Sequence, residues 1–258
     1  MDHAVSNPQI KNRVLLKANK YNPFRPDKIA PPGIFCGRID ELDAIDRYLL
    51  QTKNGNPQHF LVEGERGIGK SSIFLCEQLV AAGKLETLET EAKLDFIVVS
   101  ITLHEKDDYF AIIKKISAGL NRELKKRNAL KAVALKALDL ITRIEAYGIR
   151  VNREAAETEE SQLFDELQED FVNLLSGIDG NADGVLLLID EADKPPAEAN
   201  LGTMCKLLTE ELSKRRCERL CIGLAGLPHL IDVLKESHES SPRIFRTLSL
   251  KPLDDAER

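Results

Sequence analysis

The sequence predicts a three-layer α/β/α domain built on a five-stranded parallel sheet. Five short apolar segments rich in branched residues alternate with longer segments of helical periodicity, the pattern that buries a parallel sheet between helices. Charged residues make up 30% of the chain and aromatics 5%, with no tryptophan, which fits a helix-rich α/β protein better than a β-sandwich. The 258 residues suffice for one large domain or two small ones with a proper buried core.

Residues 1–33 form a polar lead-in, punctuated by Asn22-Pro23-Phe24-Arg25-Pro26 and Pro31-Pro32-Gly33. Proline lacks the N–H that a helix interior requires, so this stretch is read as extended. Lys11, Arg13, Lys17, Lys20, Arg25 and Lys28 make it locally basic; a solvated arm is the first reading and a nucleic-acid contact the second. Ile34–Leu42 then opens a helix reaching about Gln51, with Asp40 as N-cap and Leu42, Ile45 and Leu49 as its buried stripe. Gln58–Glu63 reads as a strand and Ser72–Val80 as a helix, with Ile73, Cys76 and Val80 at helical spacing.

Phe96–Leu103 is continuous and β-branched, as a buried parallel strand should be. Residues 106–145 are helical in pattern, with Ile112, Ile113, Ile116 and Leu120 on one face. Tyr147–Val151 reads as a short strand, and an acidic helix follows from about Glu159 on Phe164, Leu167, Phe171 and Leu174. Val185–Ile189 is the next strand. A helix from about Ala197 to Arg215 leads to the strand Leu220–Gly226, Pro228 begins another helix, and Ile244–Leu250 is the last strand. Residues 254–258 look like the first turn of a further helix.

Gly64-Glu65-Arg66-Gly67-Ile68-Gly69-Lys70-Ser71 fits G-x-x-x-x-G-K-[ST] at every fixed position. In that spacing glycines let backbone N–H groups turn inward on a polyphosphate, the lysine reaches the β- and γ-phosphates, and the serine hydroxyl binds Mg²⁺. The strand before it and the helix after it are the required context. A second constellation is the apolar strand running into Ile189-Asp190-Glu191-Ala192-Asp193. Parallel strands deliver their C-terminal residues to the ligand crevice. Asp190 is there to accept from a Mg²⁺-bound water beside Ser71, and Glu191 to orient and deprotonate an attacking water. Lys70 and Mg²⁺ would neutralise the phosphate oxygens.

These residues, with Asn22-Pro23-Phe24-x-Pro26, Phe35-x-Gly37-Arg38-x-x-Glu41-Leu42, Leu224-Ala225-Gly226-Leu227-Pro228 and Leu250-x-Pro252-Leu253, resemble AAA+ P-loop ATPases of the origin-recognition-like group. The signalling STAND NTPases share much of the pattern. The resemblance covers nearly the whole chain from about Asn22. It implies a P-loop NTPase sheet of order 5-1-4-3-2 and a nucleotide-binding core at 34–253 carrying a helical insertion at about 106–178. It also implies a helical lid beyond residue 253, of which 254–258 would be the start. ATP would be bound by Gly64 to Ser72, including Ser72 itself, and by Phe35, Gly37 and Arg38, with the base near Ile34–Gly37 and ADP as the product. Such ATPases work as rings or stacked assemblies, which implies a homo-oligomer or larger assembly. Arg243 sits where an arginine completing a neighbour's site would fall, and Arg246 is the second choice. One departure is expected to slow hydrolysis: Leu224, Ala225 and Gly226 place no polar side chain at the end of the fourth strand.

Charge and cysteines bound the remaining choices. Net charge is −6, which argues against a surface that grips duplex DNA as a whole but leaves room for a local basic patch. Lys125, Lys126 and Arg127 are the candidates, although no aromatics interleave them for stacking. Nucleic acid therefore stays open as a partner beside a solvated or protein-facing helix. His104 is read as structural first and as a sensor of phosphate or partner second. Cys36, Cys76, Cys205, Cys217 and Cys221 have no framework spacing and fit free thiols in a reducing, cytoplasmic setting. No apolar run approaches about 20 residues, so no membrane partner is expected. Two functional readings follow. One is a Mg²⁺-dependent ATPase that drives assembly or remodelling of a nucleic-acid or signalling complex. The other is a nucleotide-gated oligomerisation module with little intrinsic hydrolysis.

Overall fold

The computed structural model describes residues 37–127, 142, 156–178 and 180–253. The expected lead-in, the short strand at 147–151 and the first turn of a lid at 254–258 lie outside the described residues. Helices α1 (Ile39–Lys53), α2 (Lys70–Ala81), α3 (Tyr109–Leu124), α4 (Ala156–Gly177), α5 (Leu201–Lys214) and α6 (Leu230–Ser237) alternate with strands β1 (His59–Glu63), β2 (Phe96–Thr102), β3 (Gly184–Asp190), β4 (Leu220–Gly226) and β5 (Phe245–Ser249). The sheet order is β2-β3-β4-β1-β5 and every pairing is parallel. Read from the other edge this is the expected 5-1-4-3-2.

Alternation along the strands divides the core in two. Leu61, Ile97, Val99, Val185, Leu187, Ile189, Ile222 and Leu224 join residues of α3, α4, α5 and α6 on one face. Phe60, Val62, Phe96, Leu186, Leu188, Cys221 and Ala225 join residues of α1 and α2 on the other. Period two in the strands thus sends neighbouring side chains to opposite layers. Strand β4 is buried along its whole length, as a central parallel strand must be.

Three local expectations change. Helix α1 begins at Ile39, preceded by Arg38 at φ 61° with no side-chain cap, so Asp40 lies inside the first turn. Gly37 is also left-handed, at φ 69°, and the two residues turn the chain into the helix where a capping side chain was expected. The helix expected from Ala197 is split into a short 3₁₀ turn, Ala197–Ala199, and α5, because Asn200 between them has φ 57°. The segment at Pro228 is a turn, and α6 starts at Leu230.

Candidate functional site

The chemistry converges at the C-terminal edge of the sheet, where β1, β4 and β3 end side by side. The Gly64 amide donates to the Gly226 carbonyl at 3.3 Å and the Ala192 amide to the Ala225 carbonyl at 2.9 Å, so the end of β4 joins the phosphate loop to the acidic end of β3. Gly67 and Gly69 have φ of 79° and 109°, conformations that glycine adopts without the Cβ penalty. Gly69 also accepts from the amides of Ser72 and Ile73 as α2 begins.

Ser71 and Asp190, 119 residues apart in the chain, meet here: the Ser71 hydroxyl donates to Asp190 Oδ2 at 2.7 Å. Lys70 Nζ donates to the carbonyls of Gly64 at 2.7 Å and Glu65 at 3.0 Å. Burial pushes the Lys70 ammonium below its usual range, while Asp193, Glu191, Asp190 and Glu65 act in the opposite sense. The lysine is therefore held in the loop by its own carbonyls and balanced by a ring of acids. Glu191 has φ 55°. Its amide donates to Asp190 Oδ1 at 2.9 Å, and its carboxylate lies 3.3 Å from Lys194 Nζ with the Glu191 side chain 41% exposed.

The donor set fits Mg²⁺. Among the described residues no group of three or more His, Cys, Asp or Glu side chains is placed to hold a metal, so an all-protein cage is absent there. One hydroxyl and one carboxylate in hydrogen-bond contact suit a small hard cation that keeps waters and phosphate oxygens as its other ligands.

Arg38 and Gly37 lie next to the loop, whereas Phe35 lies outside the described residues. The Arg38 side chain is 4% exposed and faces Glu41 Oε1 at 3.4 Å. It also donates to the carbonyls of Ile68, at 3.4 Å, and of Lys251. It thus ties the start of α1 to the phosphate loop and to the segment after β5. Arg243, in the 3₁₀ turn Ser241–Ile244, is exposed at the opposite end of the sheet. Strand β5 runs parallel to β1 with Phe245 beside His59 and Ser249 beside Glu63, so about 13 Å of strand separates Arg243 from its own phosphate loop. Arg246 is near the same end and donates to Gln58 Oε1 at 3.4 Å.

Away from the site, Arg127 is tied to Asp95 Oδ2 at 3.1 Å and to the Asn181 carbonyl at 2.6 Å, and Lys126 lies 2.6 Å from Glu123. The basic cluster at the end of α3 is therefore partly committed to intramolecular pairs. His104 is exposed, and its backbone amide donates to Asp107 Oδ2 at 2.7 Å.

Two groups escaped the sequence reading. Asp193 is 8% exposed, accepts from the Leu227 amide at 3.0 Å and stands 3.7 Å from His229 Nε2. Lys194 is the other, as the partner of Glu191. The spacing Asp-Glu-x-Asp-Lys at 190–194 was the available signal, but which of these side chains turn inward depends on the left-handed residue at Glu191.

The family model described as AAA ATPase domain matches residues 34–221. No curated protein matches the chain. Among solved structures, the ADP form of the Aeropyrum pernix ORC2 protein is similar at 15% identity and a TM-score of 0.49, over 87% of this chain and 51% of that one. Cdc6p from Pyrobaculum aerophilum is similar at 18% identity and a TM-score of 0.49, over 96% and 50%. The Aeropyrum pernix ORC1 protein, solved in complex with DNA, is similar at 13% identity and a TM-score of 0.45, over 87% and 47%. The chain spans about half the length of these solved chains.

Proposed function

The chain belongs to the AAA ATPase domain family, and from that premise we propose that it binds ATP with Mg²⁺ and hydrolyses it to ADP, coupling nucleotide state to assembly. The observation that carries the reading is the Ser71–Asp190 contact of 2.7 Å, which joins the phosphate loop to the acidic strand end across β4. Loop amides from Gly64 to Ser72 and the Lys70 ammonium hold the phosphates. Gly37 and Arg38 would border the base, with Arg38 acting on the loop through the Ile68 carbonyl.

Ser71 and Asp190 would hold Mg²⁺, which would supply positive charge to neutralise the phosphate oxygens. Glu191 orients the attacking water and takes its proton once its carboxylate is free of Lys194. The position of Arg243, remote from its own loop, suits service to a neighbouring subunit's site in a homo-oligomer. The setting is proposed to be cytoplasmic; no helix of the described residues is long and apolar enough to cross a membrane.

The second reading, a nucleotide-gated module with little hydrolysis, is favoured by two features. The end of β4 offers only Leu224, Ala225 and Gly226, and Glu191 is engaged by Lys194 at 3.3 Å. Fluorescent-nucleotide titration and single-turnover hydrolysis, with and without DNA, separate the two. Lys70→Ala is expected to weaken ATP binding about 10- to 100-fold by loss of charge-assisted contacts. Glu191→Gln is expected to spare binding and slow turnover about 100-fold or more. Tight binding by Lys70→Ala refutes nucleotide binding at this loop, while no turnover by wild type under any condition selects the gated module.

A further inference from the structure

Arg38 holds a backbone conformation that glycine alone adopts freely. Its φ is 61° and that of Gly37 before it is 69°; a residue with a side chain persists there only where surrounding contacts offset the strain. The guanidinium makes those contacts. It is buried, faces the Glu41 carboxylate at 3.4 Å, and donates to the carbonyls of Ile68, at 3.4 Å, and of Lys251. Arginine stays charged when buried, so these three acceptors are what retain it. The approach to Ile68 is long for a hydrogen bond and acts chiefly through the charge.

The two carbonyls belong to segments that already touch. The Leu250 amide donates to the Glu63 carbonyl at 2.8 Å, and a Cβ at Gly64 would meet Ile68 Cγ2 at 2.9 Å and the Leu250 carbonyl at 3.2 Å. Ile68 and the chain leaving β5 thus close on the same glycine of the phosphate loop, and Arg38 spans them. A trans peptide unit is planar, with its C=O and the following N–H on opposite sides. Holding the Ile68 carbonyl therefore fixes the direction of the Gly69 amide, which faces away from Arg38. That peptide lies between Gly67 and Gly69, at φ 79° and 109°, where the chain is otherwise free to rotate. Among the described residues no backbone acceptor takes the Gly69 amide.

We propose that Arg38 is a positioning residue for the phosphate loop. By holding the Ile68 carbonyl it sets the Gly69 amide for a phosphate oxygen, and by holding the Lys251 carbonyl it makes the chain leaving β5 respond to what the loop binds. The inference rests on the nucleotide reading of the same loop. A phosphate that accepts from the Gly69 amide polarises the shared peptide and makes the Ile68 carbonyl a stronger acceptor. The guanidinium is then drawn toward the loop and Lys251 follows it; the coupling is reciprocal, so fixing Lys251 also favours the bound loop. Lysine at this position would keep the charge but lose the planar fork that reaches two acceptors.

The test is hydrogen exchange of the full chain in Mg²⁺, with and without ADP, read by mass spectrometry beside calorimetric titration of ADP. In wild type, ADP is expected to slow exchange about tenfold both in residues 64–72 and in residues 250–253. Arg38→Lys is expected to bind ADP about five- to tenfold more weakly. At saturating ADP its loop is still protected, while the slowing at 250–253 falls to about twofold or less. If the variant keeps the wild-type ratio between the two states at 250–253, even with faster exchange in both, Arg38 is packing alone and the proposal is overturned. A wild type in which ADP protects the loop and leaves 250–253 unchanged overturns it too, and that arm needs no variant to fold. If wild type shows neither binding nor protection of 64–72, the nucleotide reading fails and takes the proposal with it.

Discussion

Acidification should loosen the strand that presents the phosphate loop, and His59 is the reason. This histidine opens β1, is 8% exposed, and accepts through Nδ1 from the Ile222 amide of β4 at 3.1 Å. Burial lowers its pKa from 6.5 to about 4, because the charged ring would lose its hydration and the Ile222 amide its acceptor. The unfolded chain therefore takes up the proton first. The contribution of His59 is full above about pH 6.5, declines as pH falls, and is lost by about pH 4. At about 1.4 kcal/mol per pH unit the whole window amounts to about 3 kcal/mol, and the stretch from 6.5 down to about 5 to about 2 kcal/mol. Urea unfolding of wild type and His59→Gln across the upper part of that window isolates this group from the carboxylates, which titrate mostly lower. Glutamine offers the Ile222 amide an oxygen but does not titrate. Wild-type stability is expected to fall relative to the variant by about 2 kcal/mol. Parallel curves for the two proteins would falsify the assignment of a neutral, buried ring at the base of β1.

Four other outcomes follow from the same geometry. At Gly64 a Cβ would lie 2.9 Å from Ile68 Cγ2 and 3.1 Å from Leu250 Cβ, so Gly64→Ala should lose about 1–3 kcal/mol of stability by overpacking and weaken nucleotide binding; wild-type unfolding and affinity would contradict it. Gly67 has no atom within 4 Å of such a Cβ but a φ of 79°, so Gly67→Ala should cost about 1–2 kcal/mol through backbone conformation alone, read in the same unfolding assay. Arg243→Ala should leave nucleotide affinity unchanged and lower turnover in the assembled protein; a wild-type turnover rate removes Arg243 from the mechanism. Burial pushes the Cys205 thiol up to about 12 and raises that of Cys221 as well. Alkylation of the native protein, read by mass spectrometry, should therefore label the partly exposed Cys217 well before Cys76, Cys205 or Cys221. Cys205 labelled as fast as Cys217 would show that α5 does not pack as described.

The legible features were those whose cause is local. Asp190 at the end of an apolar run and Lys70-Ser71 after spaced glycines each follow from a short window, and so do the buried stripes of α1, α3 and α4. Three features were not legible, two of them because their cause lies far along the chain. Arg38 turns the chain into α1 while its guanidinium reaches carbonyls at Ile68 and Lys251, so no local signal could displace Asp40 as the cap. Asn200 breaks the expected helix by one left-handed residue. Asp193 turned inward because Gly226, on another strand, leaves it the space.

By itself the sequence determined the class of fold, the spaced-glycine loop and two candidate site groups, Ser71 and Asp190, since periodicity and motif spacing act within a few residues. Only the tertiary structure decided that those groups meet at 2.7 Å. The parallel sheet sets β4 between their strands, and the bare Gly226 at its end leaves room for the Asp193 carboxylate. Contact between residues over a hundred positions apart is a property of strand order, and strand order is settled by which faces bury together.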